Sequence, residues 1–306
     1  MPTRAAFRGF SLLQVIALVG ASALLVAAPD AQSQREVRER HIAAAVTDKN
    51  DAAIAGLTAA DFVVREDGLA REIIRVTPAA PPTHVAILVD DGHYPALAQI
   101  TNDLRDGLVT LLHKLQAGNP EIALYTLADR PTQIVNFSRT YTELEKQIKT
   151  LFPRTGSGIY MINGVIDACR EFQKREAARP VIVAFIDEDS PEFSEELHTR
   201  GALALKNTHA SLWTLTLQAR ISDLPSEGNR ERLLLVNDDA RDNGGMNTTV
   251  LSKMGLEAAF GRVADVITSR YDIVYARPET MIPPTKVEVT TRKAGATVRA
   301  TRWAGQ

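Results

Sequence analysis

Polar and apolar positions along the chain follow two different periods. From His84 to Ala276, short apolar runs alternate with stretches of helical period, while the segments on either side alternate in the two-residue rhythm of strands. Residues 85–89 form a continuous apolar run that predicts a buried strand, and the run ends in Asp90. Leu97, Ile100, Leu104, Leu108, Leu111 and Leu115 follow at three- and four-residue intervals, the stripe of a long helix that Gly118-Asn119-Pro120 stops. Residues 121–127 and 132–137 predict two strands whose short connection makes them antiparallel. Helices are expected over 141–151 and 158–174, a buried strand over 180–186, a helix over 194–206 and a strand over 210–217. Residues 218–243 read as a long polar connection. Leu256, Ala259, Phe260, Val263 and Ile267 mark a last amphipathic helix, followed by a strand over 271–276. This alternation predicts an α/β domain over 84–278, a doubly wound, mostly parallel sheet with one mixed edge.

The flanks read differently. Residues 35–80 open with a charged lead-in, then a β-type stretch over 41–47 and a turn at Asp48-Lys49-Asn50-Asp51. Residues 62–66 and 71–76 bracket Asp67-Gly68, a pair that tolerates positive φ and so predicts a hairpin. Residues 78–82, with three prolines, read as an extended linker. Residues 279–306 predict a second hairpin, with strands over 286–292 and 296–303 around Lys293-Ala294-Gly295. Neither flank buries a core alone, because an isolated hairpin is marginal in water. The two are therefore expected to pair into one small β domain.

Residues 1–33 are set apart from the fold, since Arg4 and Arg8 precede a nearly unbroken apolar run from Phe10 to Ala28 and small residues follow. This is the pattern of a signal peptide, with small-x-small cleavage sites at Ala31-Gln32-Ser33 and Val26-Ala27-Ala28. It predicts an exported protein, periplasmic or secreted, with no membrane span in the mature chain; an uncleaved segment would instead serve as an anchor. The formal charge of −2 gives no reason to expect nucleic acid as a partner. With Cys169 the only cysteine, no internal disulfide forms, and its place on a stripe with Ile159, Ile162 and Ile166 predicts a packed, inert thiol.

Two predicted strands end in acids: the first runs into Asp90-Asp91-Gly92-His93, and the strand over 180–186 into Asp187-Glu188-Asp189-Ser190. A glycine-flanked hydroxyl, Thr155-Gly156-Ser157-Gly158, begins a helix between them. Ligands of doubly wound sheets bind beyond the carboxyl ends of the strands where strand order reverses, so convergence of these segments would make an oxygen-rich site suited to a hard cation. The bland reading is that strand-end acids are solvated caps. Other chemistries lack their signatures: there is no Gly-rich loop ending in Lys-Ser/Thr, no Gly-x-Gly-x-x-Gly after the first strand, and no paired-cysteine or His-Glu-x-x-His zinc pattern.

The strand-Asp start at Asp90, the Gly-Ser-Gly-Ile-Tyr stretch at Ser157 and the strand-Asp at Asp187 resemble the three loops of a von Willebrand factor type A domain. Bacterial secreted relatives of that family are further resembled by Val46-Thr47-Asp48-Lys49-Asn50, residues 56–62, Glu66-Asp67-Gly68, residues 271–275 and Val287-Glu288-Val289. The resemblance implies a Rossmann-like sheet, a metal-ion-dependent adhesion site and a protein partner. Asp90, Ser157 and Asp187 are the implied metal positions, and Asp91, His93, Glu188 and Asp189 the rim around them. The family's Asp-x-Ser-x-Ser becomes Asp90, Asp91, Gly92, His93 and Tyr94, so both serine ligands are missing. Their places fall to water or to Asp91. The site therefore reads as degenerate, requires no cofactor, and would hold Mg²⁺ or another divalent cation weakly. Crowded carboxylates repel one another, so neutralisation by protonation or by a basic group from a partner is expected to replace tight metal binding.

These readings predict an exported binding or adhesion-type protein rather than an enzyme. The alternative is a hydrolase using a crevice between Asp90 and Asp187, with His93 as base to Ser157. No Gly-x-Ser-x-Gly elbow presents that serine.

Overall fold

The computed structural model describes residues 37–92, 95–154, 158–218, 226–278 and 282–303. The signal reading over 1–33 lies outside them, as do His93 and Ser157. The front segment supplies four strands, β1 (Val37–Thr47), β2 (Phe62–Glu66), β3 (Leu69–Arg71) and β4 (Ile73–Pro78). Between β2 and β3, Asp67 and Gly68 sit at φ +46° and +84°. Two consecutive left-handed residues fit the twist of a two-residue hairpin, and glycine takes that conformation without the Cβ penalty.

The alternating part follows: β5 (His84–Val89), α1 (Pro95–Gln116), β6 (Glu121–Thr126), β7 (Thr132–Ser138), α2 (Tyr141–Thr150), α3 (Met161–Lys174), β8 (Val181–Asp187), α4 (His198–Thr208) and β9 (Ser211–Leu217). Residues 218–243, read as a polar connection, contain α5 (Glu227–Leu234), which runs through a π-helical turn at Leu235–Asp239 into α6 (Ala240–Asp242). Then come β10 (Met246–Val250) and α7 (Leu256–Thr268). The strands form one six-stranded sheet in the order β10-β9-β8-β5-β6-β7. Every neighbouring pair is parallel except β6 and β7. The chain builds outward from β5 through β6 to β7, then returns to lay β8, β9 and β10 on the other side. Strand order therefore reverses between β5 and β8.

Alternation along each strand divides the core into two layers. Val85, Ile87 and Val89 face a layer closed by α1, α2 and α7, with Leu108, Leu111, Ile148 and Phe260 buried there. Ala86 and Leu88 face the other layer, which holds Ile162, Val165 and Phe172 of α3 and Leu205 of α4. Cys169 lies in this second layer, buried beneath Thr208, whose hydroxyl reaches its sulfur at 3.5 Å. Burial pushes the thiol up to about 12, so it stays protonated and unreactive at neutral pH.

The last three strands are β11 (Tyr271–Pro278), β12 (Val287–Thr291) and β13 (Thr297–Ala300). Here the structure departs from the expected course in two ways. The strand after α7 does not extend the parallel sheet but lies antiparallel between β1 and β4, in a four-stranded sheet ordered β13-β1-β11-β4. The C-terminal strands do not form a ladder with each other: β13 adds to β1, while β12 pairs with β2 in a three-stranded sheet ordered β12-β2-β3. Both departures follow from burial, because Ile273, Tyr275 and Val287 complete a third core with Ile42, Val46, Phe62 and Val64. Glu66, buried among them, accepts hydrogen bonds from Tyr275 Oη at 2.9 Å and Arg71 Nε at 2.8 Å, tying the two small sheets together. No described helix is long and apolar enough to cross a membrane.

Candidate functional site

The reversal point places Asp90, which follows β5, beside Asp187, which ends β8. A backbone bond from Asp90 N to Phe185 O at 2.9 Å extends the ladder to the carboxyl edge, so both acids are aimed at the same place. Asp90 is only 1% exposed. Its Oδ1 accepts from Gly92 N at 2.9 Å, and its Oδ2 accepts from Asp187 N at 3.0 Å and from Ser190 Oγ at 2.5 Å. Burial raises the Asp90 carboxyl to about 6; these three donors pull it down and the neighbouring Asp187 charge adds to the rise. Asp187 is itself buried, with Oδ1 bound to Asp189 N at 3.0 Å. Its Oδ2 has no hydrogen-bond partner among the described residues. Burial again holds this carboxyl above the usual carboxylate range.

Asp91, expected on the rim, is buried instead. Its Oδ1 accepts from Leu127 N at 3.1 Å and Ala128 N at 2.8 Å, beyond the end of β6, and its Oδ2 pairs with Arg154 Nε at 2.9 Å. The side chain ties three loops together and has no oxygen left to replace a missing serine. Glu188 and Asp189 follow Asp187 in the β8 loop, where Glu188 N donates to Leu217 O at 3.0 Å.

Ser157 lies outside the described residues, but residues 158–160 that follow it are anchored. Gly158 has φ +133°, and a Cβ there would come within 2.4 Å of Pro191 O, so only glycine permits the approach. Ile159 then donates to Pro191 O at 2.9 Å and accepts from Phe193 N at 2.8 Å, while Tyr160 N donates to Leu127 O at 3.0 Å. Buried Glu192 accepts from Met161 N at 3.2 Å and so satisfies one orphan donor at the start of α3. The loops after β5 and β8 meet through Asp90 and Asp187, and residues 158–160 lie against the loops after β6 and β8.

One component was not legible. Arg232 of α5 is 2% exposed and lies behind the β8 loop, where its guanidinium donates to Ser190 O and, at 2.9 Å, to Glu188 O. Burial lowers its pKa, countered by the negative charges of Glu192, Asp90, Asp187 and Glu188. Arg232 is thus the local counter-charge of the acid cluster. The only sequence signal was an arginine in a polar stretch.

Among the described residues, the oxygens of Asp90 and Asp91 do not fit the divalent ion the family resemblance implies. A Mg²⁺ shell needs six oxygens in near-octahedral array. The oxygens of Asp90 already take three donors, those of Asp91 are taken by Arg154 and two amides, and Arg232 supplies positive charge from within. Asp187 Oδ2 is a buried anionic oxygen with no hydrogen-bond partner among the described residues.

No family model and no curated protein matches the chain. Among solved structures it is similar to an aerotolerance-related membrane protein from Bacteroides fragilis, with 15% identity, a TM-score of 0.44, and 60% of this chain and 98% of that one covered. It is also similar to a von Willebrand factor type A protein from Catenulispora acidiphila, with 11% identity, a TM-score of 0.47, and 89% and 76% covered. A third is the vWF domain of the type V pili tip protein Mfa5 from Porphyromonas gingivalis, with 14% identity, a TM-score of 0.45, and 62% and 96% covered. At such identities the likeness concerns the fold, and the strand order β10-β9-β8-β5-β6-β7 by itself makes this chain a doubly wound, mostly parallel α/β protein.

Proposed function

We propose that this chain is an exported binding protein of von Willebrand factor A type, which contacts a protein partner through the loops at the carboxyl edge of its parallel sheet and does so without a metal ion. The supporting observation is the company the buried acids keep. Phe152 lies two residues before Arg154, Phe193 and Leu197 follow β8, and Leu251 and Met254 follow β10; all five are exposed, Leu251 by 78% and Met254 by 86%. Large apolar side chains left in water on loops are candidates for a binding surface, and such anchors carry most of the energy of an interface. In this reading the acid cluster shapes the loops, while the apolar rim makes the contact. The N-terminal β segment and the C-terminal strands form a small β domain that supports the opposite side, and residues 1–33 direct export.

A hydrolase built on Asp90 and Asp187 is the weaker reading. Asp90 is 1% exposed and both of its oxygens accept hydrogen bonds from Gly92, Asp187 and Ser190, which occupies the group that would act as base or nucleophile. The test is capture of envelope proteins on the immobilised mature chain, with and without EDTA. Capture retained in EDTA and lost in a Phe152→Ser, Phe193→Ser, Met254→Ser variant is the expected result. Capture abolished by EDTA, or unchanged by the triple substitution, would overturn the proposal.

A further inference from the structure

A cavity of about 680 Å³ opens at the other end of the parallel strands, between that sheet and the antiparallel sheet built on β1. Small-molecule sites occupy roughly 300–1,000 Å³, so the space is of ligand size. Part of its wall is apolar, from Ile42, Pro78 and Ala79, and part is polar, with the guanidinium groups of Arg179 and Arg270. Arg270, between α7 and β11, is 8% exposed, and its Nη2 is buried without a hydrogen-bond partner. Its Nε donates to Ile267 O at 3.2 Å, a helix-end carbonyl that satisfies one N–H but carries no full charge. No carboxylate among the described residues pairs with it. The charged group that acts on it is Arg179, of the same sign, and that repulsion adds to burial in lowering the Arg270 pKa to about 10.

The remaining groups do not supply the missing anion. Arg179, just before β8, is exposed, takes a left-handed φ of +52° and donates to Pro81 O at 3.3 Å. The acid of the cavity, Asp272, is bound to His41 at 2.9 Å. His209 completes the polar wall and adds no negative charge. A buried guanidinium is strongly disfavoured without a counter-ion, so one that persists against a cavity marks a place where an anion is received.

We propose that this cavity binds a small organic anion, a carboxylate or phosphate carried on an apolar body, with the anionic group between Arg270 and Arg179. The site is separate from the acid-edged rim and does not depend on the function proposed for it. Calorimetric titration of the full chain with inorganic phosphate, benzoate and neutral benzamide, in a low-salt buffer free of other oxyanions, tests it. At least one of the two anions is expected to bind, benzamide at least about tenfold more weakly, and Arg179→Ala should weaken the anion about tenfold, the worth of one charged hydrogen bond. Arg270→Gln should abolish binding, and Asp90→Asn should leave it unchanged. Phosphate alone binding would identify the class as phosphate; benzoate alone, as carboxylate. If the Arg270 variant fails to fold, Arg179→Ala and the neutral control decide. No heat with either anion, equal binding of benzamide, or unaltered binding in Arg179→Ala would overturn the proposal.

Discussion

Ser190 donates its hydroxyl to Oδ2 of Asp90 at 2.5 Å, joining two residues one hundred positions apart at the point where the parallel sheet reverses its order. Both groups are buried, and the bond is made to a carboxyl group that has little access to water. Ser190→Ala should therefore cost roughly 1.5–3 kcal/mol, the range for hydrogen bonds to charged groups. Urea unfolding at pH 7 measures it, and a loss under half a kilocalorie would show that the bond is not formed.

The pH dependence of stability should run against the usual direction for carboxylates. Asp90 titrates near 6 when folded and 3.8 in its unperturbed form. Between those values the folded state holds the proton that the unfolded state has released, so stability falls as pH rises from 4 to 6 and is level above. A shift of two units corresponds to about 3 kcal/mol. Asp90→Asn should flatten this slope. Melting temperatures from pH 4 to 7 compare the two proteins, and parallel curves would refute the assignment.

Much of the fold could be read from the sequence, and the failures have physical causes. The runs that became β5 and β8 are apolar because both faces of those strands are covered, and Asp67-Gly68 announces its turn through φ. β10, with sequence MNTTV, carries no such mark, since an edge strand bonded only to β9 needs little apolar surface. Tyr271–Pro278 reads as a strand of the parallel domain but lies in the four-stranded sheet, because periodicity specifies faces and not neighbours. Arg232 was hidden because α5 is polar on nearly every side, while its one buried charge is held by carbonyls that no pattern encodes. Asp90 and Asp187 were legible as strand-end acids. The burial of Asp91 was not, because it depends on the amides of Leu127 and Ala128.

Arg232→Met should destabilise the protein by more than about 2 kcal/mol at pH 7, because it frees two buried carbonyls and removes the charge that balances the acids. The deficit should shrink at pH 5, where Asp90 takes up a proton. Denaturation at the two pH values checks this; an equal deficit at both would mean that the guanidinium acts through packing alone.

Mg²⁺, Mn²⁺ or Ca²⁺ at millimolar concentration should not raise the melting temperature of metal-stripped protein. A micromolar site would stabilise it by more than about 2.7 kcal/mol under those conditions. Such a rise, lost in Asp90→Ala, would show that the acid cluster accepts a cation after all.

A chain ending at Pro278 lacks β12 and β13 and should lose protection over residues 37–78. Val287, 1% exposed, leaves the third core in that truncation, and β1 and β2 each lose a neighbour. Limited proteolysis with mass spectrometry gives the order of cleavage. Equal protection of residues 37–78 in both chains would show that the C-terminal strands are not needed there.

In the four-stranded sheet Ile42 lies opposite Ile273 and Val46 opposite Val298, so both strand neighbours of β1 are made more than two hundred residues later. Contacts of such separation demand the closure of a very long loop before they return any energy, and they form slowly. During synthesis, N-terminus first, residues 37–47 wait for both strand neighbours while the parallel sheet assembles. That interval is when the chain is most exposed to mispairing.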